Sequence, residues 1–469
     1  MEKCISTIIF ANHTMKPKSI IMKHFIYLGL LAVCLTACSN DESLIAEMPE
    51  NLVPESQNPN MRTPDEAVEV AERGLNLLDW KSENSRSATR VRRKVNKREG
   101  AIVLRDSKSR SADDSEYPLY VVNYEDESGF ALVSSNKSTE ELLAVSLAGS
   151  LHDISEVDNP GFLMFVEAAK EYINLPGSPD VQSRALEGRF PYKFEKILYY
   201  QTDTIWHCRI APRTPNYWGQ KEPEGRFCVN HRSGCSNTAM MFALSYYEYP
   251  KDLPLTYSDE VNGQVLHLDW KEIKKHCHFS MQYSYKVVPE GCAESDISSV
   301  HNQIAHLCRQ LGELNESEYK IPEKVTSTNR NKWKKTMEKW GYEVIFRDYK
   351  FGAISSVLKY SPIVIMVGES NVGGGHMWVC DGAQDYHLRR RLCELDPLMG
   401  GVKFLSDWEE IDGSCYNFYN WGWGHSDEFS CNGWYLDGVF RPRTPANDNP
   451  YSTETGENYT NIKFATILR

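Results

Sequence analysis

The sequence predicts an α+β protein with two folded domains behind an N-terminal export signal. The chain has 469 residues, whereas single domains usually hold about 100 to 200. Its 41% apolar and 25% charged residues are typical of a globular protein. Beyond residue 62, runs with strand and helix periodicity follow one another, and cysteines and glycine clusters concentrate after residue 207. We therefore expect a small α+β domain followed by a larger one.

The charge of the chain argues against nucleic acid as a partner. The net charge is -12, whereas binding to nucleic acid or anionic lipid requires a concentrated positive surface. One stretch, Lys81–Arg110, carries eleven Lys or Arg against three Asp or Glu, but no aromatic residue is interleaved with it. A solvated strand surface that can face an acidic partner domain is the favoured interpretation.

Residues 1–38 have the pattern of a bacterial lipoprotein signal peptide. Lysines precede an apolar run, Phe25–Leu35, that is too short to span a bilayer as a mature helix. The run ends in Leu35-Thr36-Ala37-Cys38, which resembles a lipobox, in which the cysteine is lipidated and becomes the new N-terminus. We expect Cys38 to be the lipidation site and the lipid to be the only membrane contact. The alternative is an ordinary signal peptide that happens to end near a cysteine.

A polar tether follows the signal. Residues 39–62 are rich in Pro, Asn and Glu without apolar periodicity. Their first residues, Ser39-Asn40-Asp41-Glu42, resemble the export signal of some surface lipoproteins. We therefore expect an outer-membrane or cell-surface location, with release of the protein after processing as a further possibility.

The first folded domain is predicted over residues 63–200. Thr63-Pro64-Asp65-Glu66 has the pattern of a helix N-terminus, with an N-cap, a proline and a glutamate three residues after the cap. Three β-rich runs follow, the first two of them joined as a hairpin, and then a helix. These predicted elements are the strands Leu119–Tyr124, Gly129–Ser134 and Leu142–Leu147 and the helix Phe162–Ile173.

A candidate nucleophile lies in the second domain, predicted over residues 201–469. Ser233-Gly234-Cys235 leads into apolar positions at helical spacing, so Cys235 is expected at a helix N-terminus. There the helix dipole and the free N–H groups stabilise a thiolate, and we expect a lowered thiol pKa. Ten cysteines lie between Cys208 and Cys431. In an exported protein most of them are expected to be disulfide-bonded or buried.

A thiol nucleophile needs a base, and His376 is the best candidate. It follows three glycines and precedes an apolar strand-like run. Asn420 is expected to orient the imidazole ring, and Trp421 to shield that hydrogen bond from water. A competing cluster, His276-Cys277-His278, lacks a second pair at zinc-site spacing, so we expect no metal and no cofactor.

These blocks resemble peptidase family C10, the streptopain family, in the Cys, His, Asn order of papain-like proteases. The resemblance implies a papain-like catalytic domain preceded by an inhibitory propeptide similar to the family's dedicated inhibitor. It also implies endopeptidase activity on protein or peptide substrates through a thioester. Cys235 is then the nucleophile, His376 the general base and acid, and Asn420 with Trp421 the supporting residues. Gln220 is expected to be an oxyanion donor.

Activation is expected by cleavage between Leu175 and Pro212. Three features depart from the family pattern: Ser236-Asn237 after the cysteine, His425 after Trp423-Gly424, and an insertion over Tyr386–Tyr416. Two other functions compete with an active protease. One is a catalytically silent lipoprotein that inhibits or binds other peptidases, and the other is a cell-wall amidase that also uses Cys and His.

Overall fold

The computed structural model describes residues 58–78, 93–105, 117–174, 197–214, 218–221, 223–277, 294–323, 325–369, 375–395, 402–424, 431–440 and 462–469. Within them, residues 58–174 are called the first domain and residues 197–469 the second. Several predictions lie outside the described residues: the signal peptide with Cys38, the tether up to residue 57, His278, His425, the glycines 373 and 374, and residues 175–196 of the expected activation region.

The first domain contains two helices and four strands, and the predicted fold class is confirmed in its α+β composition. These elements are α1 Pro64–Leu78, β1 Ala101–Val103, β2 Leu119–Asn123, β3 Phe130–Ser134, β4 Leu142–Ser146 and α2 Pro160–Asn174. Short 3-10 turns stand at Glu125–Glu127, inside the hairpin, and at Ile154–Glu156.

The helix cap and the strand pairing that the sequence predicts for the first domain are both present. Thr63 N–H donates to Glu66 Oε2 at 2.7 Å, and Glu66 N–H donates back to Thr63 Oγ1 at 3.3 Å. This reciprocal capping satisfies two amides that a helix start leaves unpaired. The helix that follows buries Ala67, Val70 and Leu75 against the sheet. The strands β2, β3 and β4 pair antiparallel, as the alternation of turn and β-rich runs indicates.

The second domain follows the papain-like plan of a helical part packed against a long antiparallel sheet. Its elements are β5 Ile197–Ile210, α3 Cys235–Tyr247, β6 Asp252–Pro254, β7 Val265–His267, α4 Trp270–Cys277, α5 Glu294–Leu314, β8 Glu318–Lys320, β9 Val325–Ser327, α6 Arg330–Lys339, β10 Glu343–Asp348, α7 Ala353–Val357, β11 Ile363–Glu369, β12 Gly375–Leu395, β13 Val402–Phe404, β14 Glu409–Asn420, β15 Gly433–Leu436 and β16 Lys463–Leu468.

One sheet joins the two domains. Its strand order is β1-β2-β3-β4-β15-β14-β12-β11-β16-β10, with β5 and β13 also paired to β12. The junction is the antiparallel pair of β4 and β15, in which Val145 lies opposite Trp434. A hydrophobic core is continuous across this junction and includes residues of α2, such as Phe165, packed on Tyr435 with ring centroids 4.7 Å apart.

Strand β5 pairs with β12 through thirteen register positions, from Ile197 opposite Leu395 to Ile210 opposite Ala383. The predicted domain boundary between residues 200 and 201 falls inside this strand, and the boundary stays a prediction. The insertion noted in the sequence lengthens β12 and β14. It therefore supplies the partner strand for residues 197–210, which form the second part of the expected activation region.

A second core surrounds α3, which is buried almost along its whole length between α5, α6 and the sheet. No helix in the described part of the chain combines the length and the apolar character needed to cross a membrane.

Candidate active site

Cys235 is the first residue of α3, as predicted, and Gly234 caps the helix with φ +83. A Cβ at Gly234 would lie 2.9 Å from the Thr326 side chain, so the turn favours glycine both sterically and in its backbone conformation. Thr238, in the first turn of the helix, ties this turn to a neighbouring loop: its hydroxyl contacts Ser233 Oγ at 2.9 Å and donates to the Gly219 carbonyl at 3.2 Å.

Gln220 lies in the same loop as Gly219, next to the turn that precedes α3. Its carbonyl accepts the N–H of Ser233 at 3.0 Å. Its side-chain Nε2 is buried and has no hydrogen-bond partner among the described residues. A buried amide donor without a partner is costly unless something else is bound there in function. The residue that the sequence predicted as an oxyanion donor thus has an unpartnered buried amide, and its backbone is hydrogen-bonded to the nucleophile turn.

The thiol of Cys235 is half-buried and interacts with the backbone N–H of Met377 and the hydroxyl of Ser236. Burial raises the pKa of Cys235 above its ordinary value, and these hydrogen bonds oppose the rise without overcoming it. The expected lowering by the helix N-terminus is therefore wrong for this covered state. Ser236 also donates to the Met377 sulfur at 3.0 Å, so the departure from the family pattern at this position places a hydroxyl beside the nucleophile.

His376 lies at the start of β12 and is 2% exposed. Its Nε2 is 2.8 Å from the Trp421 carbonyl oxygen, so Nε2 carries the proton and donates it. Burial lowers the pKa of His376 to about 4, and the Trp421 carbonyl opposes this by favouring the protonated ring. No hydrogen bond among the described residues joins the ring to Cys235. Burial thus favours the neutral form of both the thiol and the imidazole.

Asn420 and Trp421 end β14 and begin the turn beside His376. Asn420 Oδ1 accepts the N–H of Gly422 at 3.1 Å, and the role expected for Asn420 at the imidazole stays a prediction. In this structure the Trp421 carbonyl holds Nε2. The indole of Trp421 is fully buried and donates to the Cys431 carbonyl at 3.0 Å. Both this indole and the His376 ring lie against Gly161, and the shielding role expected for Trp421 stays a prediction.

The first domain covers this site. A Cβ added at Gly161, the second residue of α2, would lie 2.5 Å from His376 Cδ2 and 2.4 Å from Trp421 Cε3. Asp158, just before the same helix, accepts from Trp423 Nε1 at 2.6 Å and pairs with Lys221 Nζ at 3.3 Å. Neither contact could be read from the sequence, because both depend on how two distant segments dock.

Of the two alternatives expected for the cysteines, disulfide bonding or burial, the structure shows burial where it describes them. Eight cysteines are free, and all of these except Cys235 are buried. They behave as small apolar core residues. The side chains of Cys277 and Cys292 lie outside the described ones. Cys235 is thus set apart by its partial exposure as well as by its neighbours.

Comparisons with known families identify the chain. The Peptidase C10 family matches residues 215–435, and the Spi protease inhibitor family matches residues 59–173. The second domain belongs to peptidase family C10. The C10 domain is thus preceded by a domain of the protease-inhibitor type, and together they form a cysteine protease zymogen.

Among solved structures, the chain is similar to two from Prevotella intermedia. A prointerpain A fragment is 19% identical and matches with a TM-score of 0.43, covering 77% of this chain and 97% of that one. Active interpain A cysteine protease is 17% identical with a TM-score of 0.33, covering 55% of this chain and 95% of that one. A search of curated proteins found no significant match.

Proposed function

We propose that this chain is an exported, lipid-anchored zymogen of a cysteine endopeptidase in which Cys235, His376, Asn420, Trp421 and Gln220 carry out peptide-bond hydrolysis. The observation that supports it most is that three groups able to take part in this chemistry lie on adjoining segments of the second domain. Of these three groups, the His376 ring lies against Gly161 of α2, the Cys235 thiol interacts with the neighbouring Met377 N–H, and the unpartnered Gln220 amide belongs to the loop that is hydrogen-bonded to Ser233.

In the proposed mechanism, removal of the first domain lets solvent and substrate reach the cleft. His376, released from the Trp421 carbonyl, then takes the Cys235 proton on Nδ1, because Nε2 already carries a proton. The thiolate attacks the peptide carbonyl. The Gln220 amide and the backbone N–H groups at the start of α3 stabilise the oxyanion. His376 gives its proton to the leaving amine, and water hydrolyses the thioester. Asn420 orients the imidazole after this rearrangement.

The proposed membrane anchor is supported by Leu35-Thr36-Ala37-Cys38 and by the polar stretch that follows it. Metabolic labelling with a fatty-acid analogue tests this, and we expect label on the parent and none on Cys38→Ser. A silent inhibitor is not favoured, since the nucleophile, base and oxyanion positions are all filled by competent residues.

The test of catalysis is casein cleavage by full-length protein after limited proteolysis between residues 175 and 212. Cys235→Ala should lose at least about three orders of magnitude in rate, because the nucleophile is removed. The matched control is Cys393→Ala, which removes a buried cysteine in the distal half of β12 and should cleave like the parent. Undiminished cleavage by Cys235→Ala would overturn the proposal.

A further inference from the structure

The carboxylate of Asp158 bridges two donor groups on adjacent segments of the C10 domain. One oxygen accepts from the indole Nε1–H of Trp423 at 2.6 Å, and the other lies 3.3 Å from the ammonium of Lys221. Asp158 belongs to the first domain, whereas Lys221 and Trp423 belong to the C10 domain. The C10 domain therefore presents two donors to one anionic group, and that group is lost when the first domain leaves.

Both donors lie next to the reacting groups. Lys221 directly follows Gln220, the residue with the unpartnered amide. The Trp423 ring meets the His376 ring edge-on, with centroids 6.0 Å apart. The two segments also touch through their backbones, because a Cβ at Gly219 would lie 2.8 Å from Gly424 Cα. Lys221 and Trp423 are thus parts of one small site beside the imidazole.

We infer that Lys221 and Trp423 form a carboxylate-binding subsite for the substrate, which Asp158 fills in the zymogen. This inference rests on the proposed peptidase function and names its substrate class: peptides with a carboxylate just after the scissile bond. The leaving-group side is assigned because His376 delivers its proton to the leaving amine, and Trp423 stands at the edge of that ring. The carboxylate comes either from an Asp or Glu side chain or from a free C-terminus.

Lys221 and Trp423 bind the carboxylate by different kinds of interaction. The Lys221–Asp158 pair is partly exposed, with 31% and 52% of the side chains accessible, and exposed ion pairs contribute little. The Trp423 N–H bond to a carboxylate is short and charge-assisted, and such bonds are about twice as strong as neutral ones. Both contacts use the same half-exposed carboxylate. We therefore expect both donors to contribute to selectivity, with the contribution of Lys221 falling as salt is added.

The test uses full-length protein activated by limited proteolysis and one fluorogenic peptide in four forms. In the first pair, the residue directly after the scissile bond is Asp in one peptide and Asn in the other. In the second, shorter pair, the peptide ends at that residue, with its C-terminus either a free acid or an amide. The readout is the ratio of kcat/KM between the two forms of each pair. We expect the parent to favour Asp over Asn by about tenfold, the size of one charge-assisted bond, if the source is a side chain. If the bound carboxylate is instead a free C-terminus, we expect the parent to favour the free acid over the amide in the second pair.

Trp423→Phe keeps the aromatic ring and removes the N–H donor, and Lys221→Met keeps the chain length and removes the charge. Both should bring the ratio toward one, while Lys251→Met, an exposed lysine beyond the far end of α3, should keep the parental ratio. If the parent cleaved the two members of each peptide pair equally, or if Trp423→Phe and Lys221→Met both kept the parental ratio, the subsite would be overturned. The peptidase proposal would remain intact. Absence of cleavage of every peptide, with Cys235 unreactive to alkylation, would overturn the peptidase itself.

Discussion

At the scale of single residues, the covered site favours the neutral forms of His376 and Cys235. Nε2–H donates to a backbone carbonyl of Trp421, and burial keeps the ring neutral. The thiol of Cys235 is protonated as well, because burial raises its pKa. A neutral thiol is a poor nucleophile. The covered site therefore has the groups for catalysis but not the charge distribution that catalysis requires.

Gly161 allows α2 to pack directly on the site, because the His376 and Trp421 rings fill the space that a side chain at this position would take. Gly161→Ala should therefore push α2 away from the site at a cost of about 1 to 3 kcal/mol, the usual range for overpacking. We expect activation about five- to a hundredfold faster in a time course of zymogen processing. Glu171→Ala, on the exposed side of the same helix, is the control and should activate like the parent. Slower activation of Gly161→Ala would contradict the proposed contact.

At the scale of elements, β4 and β15 hold the two domains in one sheet. Gly433, at the start of β15, lies so close to β4 that a Cβ there would stand 2.1 Å from the Val145 carbonyl oxygen. The closest neighbours of this Cβ all belong to the first domain. Gly433→Ala should therefore weaken docking of the first domain without disturbing the C10 domain that remains after processing.

The expected result for Gly433→Ala is faster processing of the zymogen with kcat/KM of the processed enzyme close to the parental value. Both are measured on the same preparation with a peptide substrate. A variant that processes at the parental rate would show that the strand pair does not limit release. Loss of activity after processing would show that Gly433 serves the C10 domain itself.

The sequence predicted elements whose signals are local. The capping residues at Thr63, the hairpin around Glu125–Ser128 and the helix that begins at Cys235 all appear where their patterns place them. Strand β5 was not predicted, because its partner β12 lies far away in sequence and its residues have no turn signal of their own. The hydrogen bond from His376 to the Trp421 carbonyl could not be predicted either, because it depends on how the ring is buried under α2.

At the scale of the whole molecule, acid should release the first domain. The pKa of His376 is lowered by burial to about 4, while an exposed histidine titrates near about 6.5. The open state therefore binds more protons than the covered state between these two values. Stability of the covered state is fully present above pH ~6.5 and is lost as the pH falls toward ~4, by up to about 3 kcal/mol.

We therefore expect processing of the zymogen to accelerate as the pH is lowered from about 6.5 to about 4, measured by following the full-length band over time. The catalytically silent Cys235→Ala zymogen, cut by a fixed amount of added protease, separates exposure of the cleavage region from self-cleavage. A rate of this cleavage that stays flat across the window would contradict the linkage to His376.

The central claim is that Cys235 is the nucleophile of a cysteine protease kept latent by the first domain. The most direct measurement is alkylation of the full-length protein with an epoxysuccinyl inhibitor before and after limited proteolysis between residues 175 and 212, with mass mapping of the modified cysteine. We predict little label before cleavage, and label on Cys235 alone, with loss of casein hydrolysis, afterwards. Equal labelling of Cys235 before cleavage would contradict latency. Label on another cysteine, or none after cleavage, would contradict the assignment of the nucleophile.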